Sequence, residues 1–105
     1  MSAIVLKAGT RVKSAVCDTQ IMILRAPAGA LTLTCGGHGM LAMSVAAPEG
    51  VALDPAFAAG TLTGKRYVDA AESLEFLCTK GGAGGLAVDG VALEIKQAKA
   101  LPSSD

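Results

Sequence analysis

The sequence predicts an all-β protein, a small barrel or sandwich of about eight short, mainly antiparallel strands. Three observations lead there. Apolar and polar residues alternate with period two in several short stretches, helical periodicity is almost absent, and glycine- or proline-containing turns punctuate the chain at short intervals.

Each element follows from that pattern. Around residues 11–16, Val12, Ser14 and Val16 are expected on one face of a strand and Arg11, Lys13 and Ala15 on the other. Residues 20–25 and 30–34 flank Ala26-Pro27-Ala28-Gly29, which reads as a four-residue hairpin loop; Leu31 and Leu33 should point inward, Thr32 and Thr34 outward. A further strand is expected over 40–45, ending before Pro48-Glu49-Gly50. Residues 52–60 fit one short helical turn or an irregular crossing. Strands are expected at 66–68 and 74–77. The clearest hairpin joins 86–88 to 91–95 through Asp89-Gly90, the pair a type I′ turn favours because both central residues take positive φ. Residues 1–98 are read as one β domain and 99–105 as a frayed tail.

Composition narrows the function classes. Charged residues make up 17% of the 105, against about 25% in an average globular domain. A charge-poor surface points to cover by another chain, a second copy or a different protein. Strand 21–24 (Ile-Met-Ile-Leu) is apolar on both faces. It is either central and covered twice within the fold or part of an interface, with Met22 and Met40 as candidate contacts. Nine basic residues balance nine acidic ones, and no basic cluster or aromatic platform offers a nucleic-acid surface. No apolar run approaches the roughly 20 residues needed to span a bilayer. The start lacks a basic, secretory-type leader, and three cysteines, an odd number, argue against a disulfide framework, so a cytoplasmic setting is expected.

The soft-ligand inventory is Cys17, Cys35, Cys78 and the single histidine, His38. Cys35-Gly36-Gly37-His38 is a Cys-x-x-His spacing on a tight glycine turn. If Cys17 and Cys78 reach the same corner, a four-ligand Cys₃His zinc site results. The bland alternative is that the cysteines are buried as small hydrophobes and that His38 bonds a backbone carbonyl. The expected cofactor is therefore none or one zinc, with iron less favoured.

Residues 12–40, from Val-Lys-Ser-Ala-Val-Cys through Pro-Ala-Gly to Leu-Thr-Leu-Thr-Cys-Gly-Gly-His-Gly-Met, resemble the desulforedoxin-type, rubredoxin-like domain. That family joins a paired-cysteine knuckle to a Cys-Cys-Gly-x-x-Met ending and holds iron or zinc. Here Ser14 and Thr34 stand where the family has its other cysteines, so only Cys17 and Cys35 match ligand positions. The resemblance implies a related β-scaffold. A four-thiolate iron centre is excluded within one chain by the count of three cysteines.

Other chemistry finds less support. A cysteine nucleophile would need His38 as its base. Asp69 with Glu72, or Glu72 with Glu75, are read as solvated charges rather than an acid–base pair. Lys80-Gly81-Gly82-Ala83-Gly84-Gly85 has its lysine before the glycines and a strand after them, which is not a phosphate loop; a flexible hairpin or flap is expected. A faint echo between 31–43 and 74–88 places a cysteine after a strand and before glycines in both. Shared hairpin grammar and two related β-halves both account for it. The sequence thus points to a non-catalytic interaction or accessory protein, oligomeric, with a metal-binding module as the alternative.

Overall fold

The computed structural model describes residues 4–27, 29–46 and 48–96. Among them are twelve short strands: β1 Ile4–Val5, β2 Arg11–Lys13, β3 Gln20–Arg25, β4 Ala30–Leu31, β5 Leu33–Cys35, β6 His38–Gly39, β7 Leu41–Ala42, β8 Arg66–Val68, β9 Glu75–Lys80, β10 Leu86–Val88, β11 Val91–Ala92 and β12 Glu94–Ile95. The one helical element described is a 3₁₀ turn at Pro55–Phe57, where Asp54 Oδ1 accepts from Ala56 N at 2.9 Å and proline supplies a preset φ. Of the two readings of 52–60, a short helical turn or an irregular crossing, the helical turn is the one formed. No helix among the described residues is long and apolar enough to cross a membrane. The tail at 99–105 lies outside the described residues.

The fold is all-β and sandwich-like rather than a closed barrel. A six-stranded sheet runs β12-β8-β9-β3-β2-β7, a four-stranded sheet runs β11-β10-β5-β6, and β1 pairs with β4. Every described strand pair is antiparallel. The two six-residue strands, β3 and β9, lie side by side at the middle of the large sheet and carry the most buried side chains. Ile21 and Phe76 are 0% and 0% exposed, and Ile23 1%. Across the core stand Leu33, Cys35, Leu86 and Val88 of the smaller sheet. Full burial of each large apolar side chain contributes about 1.5–3 kcal/mol, so this central band holds the two layers together.

Several expectations change in detail. The loop after Arg25 is not a hairpin. β3 already has β2 on one edge and β9 on the other, so the chain must leave that sheet; β4 pairs with β1 and β5 with β10. The run 30–34 is broken at Thr32, whose amide donates to Asp89 Oδ1 at 3.0 Å and whose carbonyl accepts from Asp89 N at 2.8 Å. Thr34 alternates with the core residues Leu33 and Cys35, as expected, yet is also buried, its hydroxyl donating to the Ala87 carbonyl at 3.4 Å. The Asp89-Gly90 turn has the expected geometry, with φ of 52° and 83°. The strand after it divides at Leu93, passing from β11 in one sheet to β12 in the other. Along β3, Ile21 and Ile23 are buried while Met22 and Leu24 are half-buried, and Met40 is a core residue at 8% exposure. Met40 is therefore not available as an interface contact. The echo does not carry into pairing. β6 folds back on β5 after Cys35, whereas the strand after Cys78's glycines pairs with β5, not with β9.

Candidate functional site

Cys17 is built into a loop that wraps around a serine. Residues 14–19 join β2 to β3, and Ser14 N donates to Thr19 O at 2.8 Å to close the loop. The buried Ser14 Oγ accepts from Val16 N and Cys17 N, both at 3.1 Å. Ser14 Oγ also lies 3.3 Å from Cys17 Sγ: the S–H of the protonated thiol donates to it, and in the thiolate the Ser14 hydroxyl donates to sulfur.

Two further elements close on the same sulfur. β5 ends at Cys35, whose Sγ lies 3.8 Å from Cys17 Sγ. Loop 81–85, between β9 and β10, brings Gly84 N to Cys17 Sγ at 3.3 Å. A hydroxyl chain reaches it from below. Gly82 N donates to Thr61 Oγ1 at 3.1 Å, Thr61 and Thr19 hydroxyls are 2.6 Å apart, and Thr19 Oγ1 is 3.2 Å from Cys17 Sγ. Once Gly82 N–H fills an acceptor site on Thr61, the chain can run in one direction, Thr61 donating to Thr19 and Thr19 to sulfur. Cys17 as a thiolate then receives donors from Ser14, Thr19 and the Gly84 amide.

The electrostatics divide the pair. Burial pushes the Cys17 thiol up, but hydrogen bonds from Ser14, Thr19 and Gly84 outweigh it and bring the pKa down from 9.0 to about 7. Cys35 is 0% exposed, and burial, together with the adjacent Cys17 charge, pushes its thiol up to about 11. One sulfur thus titrates well below an ordinary thiol and is partly exposed. The other is a buried thiol.

The glycine loop is fastened rather than free. Gly81 N bonds Thr63 Oγ1 at 2.8 Å, Thr61 N bonds Gly82 O at 2.9 Å and Gly85 N bonds Phe57 O at 2.6 Å. Its glycines answer to close approach. A β-carbon on Gly82 would stand 2.6 Å from Thr19 Oγ1, and one on Gly84 2.9 Å from Cys35 Sγ and 3.1 Å from Cys17 Sγ. The expected flap is instead a fixed cover over the thiol pair.

The other predicted residues lie around this corner without joining it into one cluster. His38 is the cross-strand partner of Cys35 in the β5–β6 hairpin and so leaves the same face, but its Nε2 is 2.8 Å from the Ala52 carbonyl. Cys78, opposite Ile21 on β9, is fully buried, and burial pushes its thiol up against a lowering contact from Thr61. Among the described residues no group of three or more histidine, cysteine, aspartate or glutamate side chains is gathered for a metal ion. The carboxylates have structural partners. Asp69 Oδ1 accepts from Ser73 N at 2.7 Å and Leu74 N at 3.3 Å, while Glu75 pairs with Lys96 at 3.0 Å and Arg66 at 3.2 Å.

A second feature is an apolar groove of about 380 Å³ between Pro27, Leu31, Leu74, Val91 and Leu93. Val91, on edge strand β11, is 67% exposed at its rim.

Comparison with protein-family models, curated proteins and solved structures finds no match to this chain.

Proposed function

We propose that this chain is a small non-catalytic interaction or accessory module that self-associates through β11 and the groove beside it. The observation that carries this is the coincidence of an open sheet edge with an apolar depression at Val91. An edge strand presents unpaired backbone donors and acceptors, a template for another strand. Two copies related by a two-fold axis would pair β11 with β11 antiparallel and seat each Val91 against the other's groove. A charge-poor chain of net charge zero offers little repulsion between copies. The odd cysteine count supports a reducing, cytoplasmic setting. Sedimentation velocity across a concentration series tests the reading. A dimer that dissociates in Val91→Asp supports it; a wild-type monomer at every concentration overturns it.

A metal-binding reading with Cys17, Cys35, His38 and Cys78 as ligands is favoured by one distance. The 3.8 Å between Cys17 and Cys35 sulfurs matches the edge of a tetrahedron with zinc–sulfur bonds of about 2.3 Å. His38 would have to leave the Ala52 carbonyl to join it. Elemental analysis of protein purified without chelator, beside Cys35→Ala, tests it: zinc near one per chain, lost in the variant, supports the site, and no zinc in either ends it.

A further inference from the structure

We propose that Cys17 and Cys35 form a reversible dithiol–disulfide switch, in which Cys17 is the sulfur attacked by hydroperoxides and Cys35 is the resolving thiol.

The geometry makes the division of labour. The two sulfurs are 3.8 Å apart, in contact, and a disulfide of about 2.05 Å requires them to close the remaining gap. Cys17 is partly exposed and ringed by Ser14, Thr19 and the Gly84 amide, donors that favour its reactive anionic form. Cys35 is fully buried and meets oxidants only through Cys17. The sulfur that faces Cys17 at 3.8 Å is that of Cys35, and Cys78, equally buried on β9, is left out of the pair.

The chemistry balances with a hydroperoxide as oxidant. The Cys17 thiolate attacks one peroxide oxygen; a sulfur–oxygen bond forms, the oxygen–oxygen bond breaks, and the departing hydroxide or alkoxide takes a proton from solvent. Cys17 is now a sulfenic acid. Cys35 Sγ attacks Cys17 Sγ, the disulfide forms as the sulfur–oxygen bond breaks, and the hydroxide leaves as water with the proton Cys35 gives up. Two thiols lose two electrons, and the peroxide becomes water plus water or an alcohol. A dithiol reductant reverses the step by exchange.

The Gly84 cover couples the switch to the fold. Gly84 N–H has Cys17 Sγ as its acceptor, and Gly36 N bonds Gly85 O at 3.0 Å, so the loop rests on both cysteine segments. Disulfide formation removes the charged acceptor and draws the sulfurs together directly beneath it.

The test uses the full chain, reduced, treated with chelator and exposed to hydrogen peroxide near stoichiometry. Intact mass should fall by two hydrogens, and peptide mapping should link residues 17 and 35. Cys78→Ser should behave as wild type, while Cys35→Ser should stop at a Cys17 sulfenic acid that dimedone captures. Dithiothreitol should restore the starting mass in wild type. A link involving Cys78, a disulfide joining two copies through Cys17, or oxygen added to wild type without hydrogen loss would each overturn the proposal. Because the β11 edge is untouched by these variants, sedimentation of the reduced protein reports on the dimer separately.

Discussion

Gly84 covers the Cys17–Cys35 pair so closely that its backbone bonds one sulfur at 3.3 Å while its missing side chain leaves room for the other. Gly84→Ala would place a methyl 2.9 Å from both Cys35 Sγ and the Gly36 amide. Neither is the free end of a long side chain, so the loop must lift. The expected cost is about 1–3 kcal/mol, as for other overpacked sites. Urea denaturation measures it, and an unchanged midpoint would mean that the cover gives way freely.

The ionisation of Cys17 is a second expectation. Alkylation by iodoacetamide should rise with a midpoint near pH 7, against 9.0 for an ordinary thiol. Ser14→Ala and Thr19→Val each remove a donor and should shift the midpoint upward. The linkage to stability has two signs. Cys17 is depressed, so its contribution is fully present above pH 9 and is lost as pH falls through about 7. Cys35 is raised to about 11, so folding favours its protonated form and stability falls as pH climbs from 9 towards 11. Denaturation followed from pH 6 to 11 should rise and then fall through these groups, and Cys17→Ser should remove the rise.

The all-β class and the Asp89-Gly90 hairpin were legible because both rest on local signals, period-two alternation and a residue pair with a strong positive-φ preference. Strand partners were not. Nothing in residues 26–29 says that both edges of β3 are occupied, since its partner β9, Glu75–Lys80, is remote in the chain. The site was half legible. Cys17 and Cys35 stood out as chemical types, but Thr19, Thr61, Gly82 and Gly84 enter only when β9–β10 folds over them. Ser14 carried a readable sign, a hydroxyl three residues before a cysteine, the spacing of a side-chain-capped turn. The glycine run was misread for a physical reason: glycine serves loops that must move and loops that must approach closely, and composition does not separate the two.

Glu75 is the buried carboxylate of the large sheet, held between Lys96 and Arg66. The Lys96 hydrogen bond, against the opposing effect of burial, keeps it below the usual carboxylate range, with the charges of Lys96 and Arg66 adding to it. A depressed acid stabilises the fold above its unfolded pKa and loses that contribution as pH falls through the folded value. Glu75→Gln should cost on the order of 1–2 kcal/mol at neutral pH, the scale of lost charge-assisted hydrogen bonds whose partners stay in water. Below the carboxylate range the variant and wild type should converge. A constant gap down to low pH would locate the cost in packing rather than charge.

The Asp89 turn, between β10 and β11, is bonded to Thr32 at the break between β4 and β5. Asp89 holds φ at 52°, a conformation that costs alanine about 1 kcal/mol or more and asparagine less. Its carboxylate also accepts from Thr32 N at 3.0 Å, the bond that replaces sheet pairing where the strand is interrupted. Asp89→Ala should therefore lose both contributions, about 1–2 kcal/mol in total. Asp89→Asn keeps the left-handed preference and an acceptor oxygen, and should lose much less. Hydrogen exchange at the Thr32 amide separates the two effects. Exchange should quicken in Asp89→Ala and stay slow in Asp89→Asn, and equal rates in both would show that the amide draws its protection from burial rather than from the Asp89 side chain.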